Sequence, residues 1–182
     1  GATGGDAFLR AVQLLHALAQ TLALAHTEGI VHGGLSPKSV RLRDDGDGRG
    51  ALPALSFLGL RTMSDGRPDA FAKALWPNDD DEEEVRSVGD AYAFGGLCAY
   101  VASGEAGAMA LLKVGPRDAA TIGLAAPGQA RADHPLLLLA RDLLDGEPAW
   151  RPTLSDAARR LSSLLESVER KEAKTQAIER PG

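Results

Sequence analysis

The sequence predicts a mainly α-helical domain, a helical bundle around one buried central helix with a small β-hairpin beside it. Three observations predict it. Apolar residues recur at helical spacing from Asp6 to His26, the run Ser87 to Ser103 is apolar or small on nearly every side, and two short apolar runs flank an Asp- and Gly-rich stretch at residues 44–48.

The first helix is expected to start with Asp6 as its cap and to carry Phe8, Leu9, Val12, Leu15, Leu18, Leu22 and Leu24 on its apolar side until Gly29 stops it. Ile30 and Val31, then Val40 to Leu42, read as short strands. Asp44, Asp45, Gly46, Asp47 and Gly48 form the hairpin turn, and Ala51 to Leu60 is the returning apolar stretch. Residues 61–76 have no clean periodicity and read as a long loop, closed by Pro77 and followed by six consecutive acids, Asp79, Asp80, Asp81, Glu82, Glu83 and Glu84, which prefer solvent. The central helix, with Val88, Ala91, Tyr92, Phe94, Leu97, Tyr100 and Val101, stops at Gly104. Residues 115–133, rich in Gly, Pro and Ala, read as loop with a short helix. Pro135 to Leu144 is helical and ended by Gly146. The last helix starts at Thr153, where Thr-Leu-Ser-Asp makes a capping box with Asp156, and runs to about Glu169. This divides the chain into a linker at 1–5, one domain at 6–168 and a charged, flexible tail at 169–182.

A chain of 182 residues supports one core without disulfides or metal. Its net charge of −5 lacks the basic face that nucleic acid requires, so no nucleic-acid partner is expected. No apolar stretch is read as approaching the ~20 residues of a membrane span. Cys98, the single cysteine, reads as core filler and fits the cytoplasm or another reducing compartment, with secretion as an effector left open. His16, His26, His32 and His134 contain no H-x-x-x-H pair, which argues against zinc and assigns them to packing and solvent. Asp44, Asp45 and Asp47 lack the closing Glu of a calcium loop, and no serine lies in G-x-S-x-G.

Four segments, in order, carry a more specific message. The first is His26-Thr27-Glu28-Gly29-Ile30-Val31-His32-Gly33-Gly34-Leu35-Ser36-Pro37-Lys38-Ser39-Val40. The others are Leu55-Ser56-Phe57-Leu58-Gly59-Leu60, Asp90-Ala91-Tyr92-Ala93-Phe94-Gly95, and Leu143-Leu144-Asp145-Gly146-Glu147-Pro148-Ala149-Trp150-Arg151-Pro152. Together they resemble the C-terminal lobe of eukaryotic-type protein kinases: the catalytic loop His-Arg-Asp-Leu-Lys-Pro-x-Asn, the Asp-Phe-Gly segment, the Asp-x-Tyr-Ser-x-Gly that opens the buried central helix, and the Leu-x-x-Asp-Pro-x-x-Arg-Pro before the last helix. The resemblance implies structural roles for His32, Leu58 and Gly59 in the lobe's interior. It implies that Asp90 accepts hydrogen bonds from the backbone at His32 to Gly34, and that Arg151 pairs with an acid near Asn78 or in the run after it.

The same resemblance implies that catalysis is lost. Phosphoryl transfer needs a carboxylate at the substrate hydroxyl, a lysine near the phosphate, and Asp and Asn ligands for Mg²⁺. Gly34 stands at the catalytic aspartate, Ser36 at the lysine, Ser39 at the asparagine and Phe57 at the metal-binding aspartate, while Arg41 stands where the family has an apolar floor under adenine. The expectation is a pseudokinase C-lobe without catalytic residues, cofactor or metal, acting as a protein-binding scaffold or allosteric regulator in solution rather than at a membrane. Its acidic run at 79–84 is the candidate site for a basic peptide of a partner. The sequence shows no counterpart of the kinase N-lobe, so a separate N-lobe-containing chain is a second candidate partner. A stand-alone domain like the kinase non-catalytic C-lobe domain is the alternative, and an ATP-using transferase completed by another chain is the third reading.

Overall fold

A computed structural model describes residues 4–44, 51–56, 74–75, 87–114 and 134–178. Helix α1 spans Gly4–Thr27 and buries Val12, Leu15, Leu18, Ala19 and Leu22 along one face. It begins two residues before Asp6, which therefore sits in the first turn, where its charge complements the helix dipole, rather than at the cap. The helix ends in a Schellman motif: Ile30 N–H donates to Ala25 O at 2.9 Å, Gly29 N–H donates to His26 O at 3.1 Å, and Gly29 takes φ +72°. This corrects the strand expected at Ile30 and Val31. The amide of Ile30 is spent on closing α1, and the segment runs on as coil.

A 3-10 turn, Pro37–Ser39, leads into strand β1, Val40–Asp44, which pairs antiparallel with β2, Ala51–Leu55, in a register that sets Val40 opposite Leu55. Val40 and Leu55 pack on the core, and β2 lies against α1. The hairpin is the one expected, although its turn at 45–50 and the apolar stretch beyond Ser56 lie outside the described residues.

Helix α2 spans Ser87–Val114. Its first half is the buried centre of the bundle, with Asp90, Ala91, Ala93, Phe94, Leu97, Cys98 and Ala99 all excluded from solvent. Loss of solvent pushes the Cys98 thiol far above its ordinary range, which makes it packing material rather than a nucleophile. Gly104 breaks the helical dihedrals, with φ 72° and ψ 177°, but the chain resumes helix beyond this kink and buries Ala108 and Leu111. The stop expected there is thus a bend.

Helix α3, Pro135–Leu143, opens with a proline whose missing N–H has no intrahelical role at that position. It buries Leu136, Leu137, Leu139, Ala140 and Leu143, chiefly against α2. The two helices approach closely because α2 presents Gly95: a β-carbon there meets Leu143 Cβ at 2.7 Å. After a 3-10 turn at Pro148–Trp150, helix α4 runs over Leu154–Ile178 and packs mainly on α1 through Leu154, Ala157, Ala158 and Leu161. Its start is the predicted box. Thr153 Oγ1 accepts from the Asp156 N–H at 3.1 Å, and Asp156 Oδ2 accepts from the Thr153 N–H at 3.2 Å and from its hydroxyl at 2.7 Å. These bonds hold the Asp156 carboxyl below its usual range. The helix outlasts the predicted end at Glu169 because Arg170 to Ala177 is made largely of good helix formers that need no tertiary cover.

Two helical stretches, Gly5–Thr27 and Ser87–Lys113, are long and apolar enough to cross a membrane by length and composition. This corrects the expectation that no stretch approaches that length. In the fold the buried residues of these helices face other helices, and α2 carries a buried carboxylate near its start.

Candidate functional site

The site gathers where the end of α1, the loop 30–36, the 3-10 turn, the end of β2 and the start of α2 meet. Asp90 anchors it. The residue lies in the first turn of α2, fully buried, where the helix dipole favours a negative charge. Its Oδ2 accepts the His32 N–H at 2.7 Å and its Oδ1 the Gly33 N–H at 2.9 Å. His26 Nε2, from the last turn of α1, donates to Oδ2 at 2.9 Å. One carboxylate thus ties three segments together, and these bonds meet the cost of its burial. Gly33 takes φ +68°, a left-handed conformation that favours glycine.

His32 is fully buried. The Gly34 N–H donates to His32 Nδ1 at 3.2 Å, so Nδ1 is the acceptor and the ring proton sits on Nε2, which donates to Ser56 O at 3.2 Å. Burial lowers the pKa of this imidazole below its usual value, partly opposed by the charge of Asp90 and the bond to Ser56. The neutral ring joins the loop to the end of β2.

Gly34, where the resemblance calls for a catalytic carboxylate, brings no side chain, and a β-carbon there meets nothing within 4 Å. Packing therefore does not demand glycine at this point. Ser36 and Ser39 are both buried. Ser39 Oγ donates to Ser36 O at 2.9 Å and accepts the Ser36 N–H at 3.0 Å, while Ser39 O accepts both the amide and the hydroxyl of Ser56. The Ser39 hydroxyl, at the position where the resemblance implies a metal-binding asparagine, is engaged in closing the turn. Arg41 is exposed on β1.

Arg151 reaches back to the start of α2. Its Nε donates to Asp145 O at 2.7 Å and its Nη1 to Val88 O at 3.3 Å, and the guanidinium lies 4.8 Å over the ring of Tyr92. The acid expected as its partner, near Asn78, lies outside the described residues, as do Phe57, Leu58, Gly59 and the acidic run Asp79, Asp80, Asp81, Glu82, Glu83 and Glu84.

The structure therefore brings together His32, Gly34, Ser36, Ser39 and Asp90 around one loop and sets Arg151 at the other side of the α2 start. Sequence reasoning missed His26 and Ser56. The available signal for His26 was its place in the last helical turn before Gly29, six residues ahead of His32. Among the described residues no group of three His, Cys, Asp or Glu side chains gathers to hold a metal. What the arrangement does chemically is hold a backbone: the ring nitrogens of His32, His26 Nε2 and the Asp90 oxygens are all engaged in hydrogen bonds. No protein-family model matches the chain, and no curated protein matches it at a significant level.

Proposed function

We propose that this chain is a pseudokinase-like C-lobe module that acts without catalysis, by binding protein as a scaffold or allosteric regulator. The observation that carries the reading is the clamp of Asp90 on the His32 and Gly33 amides, the arrangement expected from the resemblance of both segments to a kinase lobe. The loop is held in shape while the positions that serve phosphoryl transfer there are occupied by Gly34, Ser36 and Ser39, which bring neither carboxylate nor ammonium to it. A loop that is rigid but chemically empty serves recognition.

Two measurements test this reading. ATP with Mg²⁺ is expected to leave the melting temperature of the chain unchanged, whereas binding at 100-fold over the dissociation constant adds about 2.7 kcal/mol of stability. A shift of that size, together with phosphate incorporation into any added protein, overturns the non-catalytic reading. Fluorescence anisotropy with an arginine-rich peptide then tests the acidic run: reversing Asp79 to Glu84 to lysine should abolish binding and its salt dependence. Unchanged affinity removes the run as the binding surface.

A further inference from the structure

Among the described residues the β1–β2 ribbon has one blocked edge and one open edge. The Ser56 N–H donates to Ser39 O at 2.9 Å, continuing by one rung the register that pairs Val40 with Leu55. Bonded and non-bonded pairs alternate along an antiparallel ladder. Arg41–Ala54 and Arg43–Leu52 are therefore bonded pairs, and the N–H and C=O groups of Val40 and Leu42 turn away from β2. Pro53 stands opposite Leu42, so its nitrogen, which carries no hydrogen, faces outward on the β2 side and blocks that edge. The outer edge of β1 keeps its donors and acceptors, and among the described residues β1 pairs with no strand but β2.

The side chains on that edge define what fits it. Arg41 and Arg43 are exposed and share one face of β1, and their side chains make no hydrogen bond or ion pair among the described residues. Leu42, on the opposite face, is 60% exposed. We propose that the outer edge of β1 docks an extended acidic segment of a partner protein, which adds as a third strand with acidic residues two apart opposite Arg41 and Arg43 and an apolar residue between them beside Leu42. Main-chain bonds to Val40 and Leu42 supply the affinity, and the opposite-charge pairs across the strands select the sequence. A second copy of this chain is a poor occupant, because antiparallel pairing of two β1 strands about Leu42 sets Arg41 against Arg43. This edge is separate in sequence from the acidic run at 79–84, so the two surfaces take partners of opposite charge and can fail independently.

The test is fluorescence anisotropy of the full chain with a short labelled peptide that alternates glutamate and valine. Saturable binding is expected, weakened about tenfold or more by the double variant Arg41→Glu/Arg43→Glu, which should instead prefer a peptide alternating lysine and valine. Both arginines are exposed, so the variant should keep the wild-type circular dichroism. Two further peptides, N-methylated at every second residue in the two phases, report the strand itself: one phase should lose binding and the other keep it. Absent binding, equal behaviour of the two methylated peptides, or equal binding of polyglutamate overturns the proposal. So does a dimer in sedimentation that Leu42→Pro dissolves, since the occupant is then a second copy.

Discussion

Asp90 shows how much one side chain decides here. Its two oxygens hold the amides of His32 and Gly33 and the imidazole of His26, so Asp90→Ala leaves two buried N–H groups and a ring nitrogen without their acceptor. At about 1–3 kcal/mol for each unsatisfied buried group, the variant should lose at least ~3 kcal/mol, read as a lower urea midpoint. His32 adds a pH dependence of definite sign. Burial holds its folded pKa below the ordinary 6.5, so the unfolded chain takes up the proton first as the pH falls. The contribution of the neutral ring is complete above about pH 6.5 and is lost as the pH falls from there through the folded value. Urea midpoints of the wild type should therefore drop more steeply between about pH 7 and pH 5 than those of His32→Gln. Parallel curves would show that the imidazole is not the responsible group. The bonds of Asp90 to the loop amides and the burial of His32 are what the resemblance of their segments led one to expect. The role of His26 was not legible, because a histidine at a helix end looks the same whether it meets solvent or a carboxylate brought 64 residues along the chain.

At the scale of elements, periodicity and caps located the hairpin and each of the four helices among the described residues. Errors fell where local signals compete. Ile30 and Val31 are β-branched and read as strand, yet the Schellman closure of α1 takes the Ile30 amide. Gly104 reads as a terminus, yet the buried Ala108 and Leu111 give the second half of α2 enough cover to resume. The contact of α2 with α3 depends on Gly95, whose β-carbon position lies 2.7 Å from Leu143 Cβ and 3.2 Å from Ala140 O. Alanine there gains about 1 kcal/mol of helix propensity but forces two backbones apart at a cost of about 1–3 kcal/mol. Gly95→Ala should accordingly lower stability by about 1 kcal/mol in thermal denaturation, whereas a gain would mean that α3 moves freely.

Over the whole molecule the first and last helices close on each other. α1 packs chiefly on α4, so Val12, Leu15, Leu18 and Leu22 cannot be fully covered until α4 has been made. A chain truncated before Leu154 exposes that stripe and the facing surface of the bundle. It should keep helical circular dichroism while losing a cooperative melt and binding a dye that senses apolar surface. A sharp transition in the truncated chain would show that α2 and α3 suffice as a core. By contrast, removing residues beyond Glu169 should change little, since the described side chains there are exposed.

The sequence by itself determined that the domain is mainly helical, which residues form its centre, and that Gly34, Ser36 and Ser39 bring no carboxylate or ammonium to the loop, because these follow from residue type and short-range spacing. Only the tertiary structure decided that His26 shares the carboxylate of Asp90, that the Ser39 hydroxyl is engaged inside the turn, that Gly104 bends a helix instead of ending it, and that among the described residues β1 presents the open edge of the ribbon. Each of those depends on a partner or a register supplied from elsewhere in the chain, and the free energy of such a contact is not a property of either segment alone.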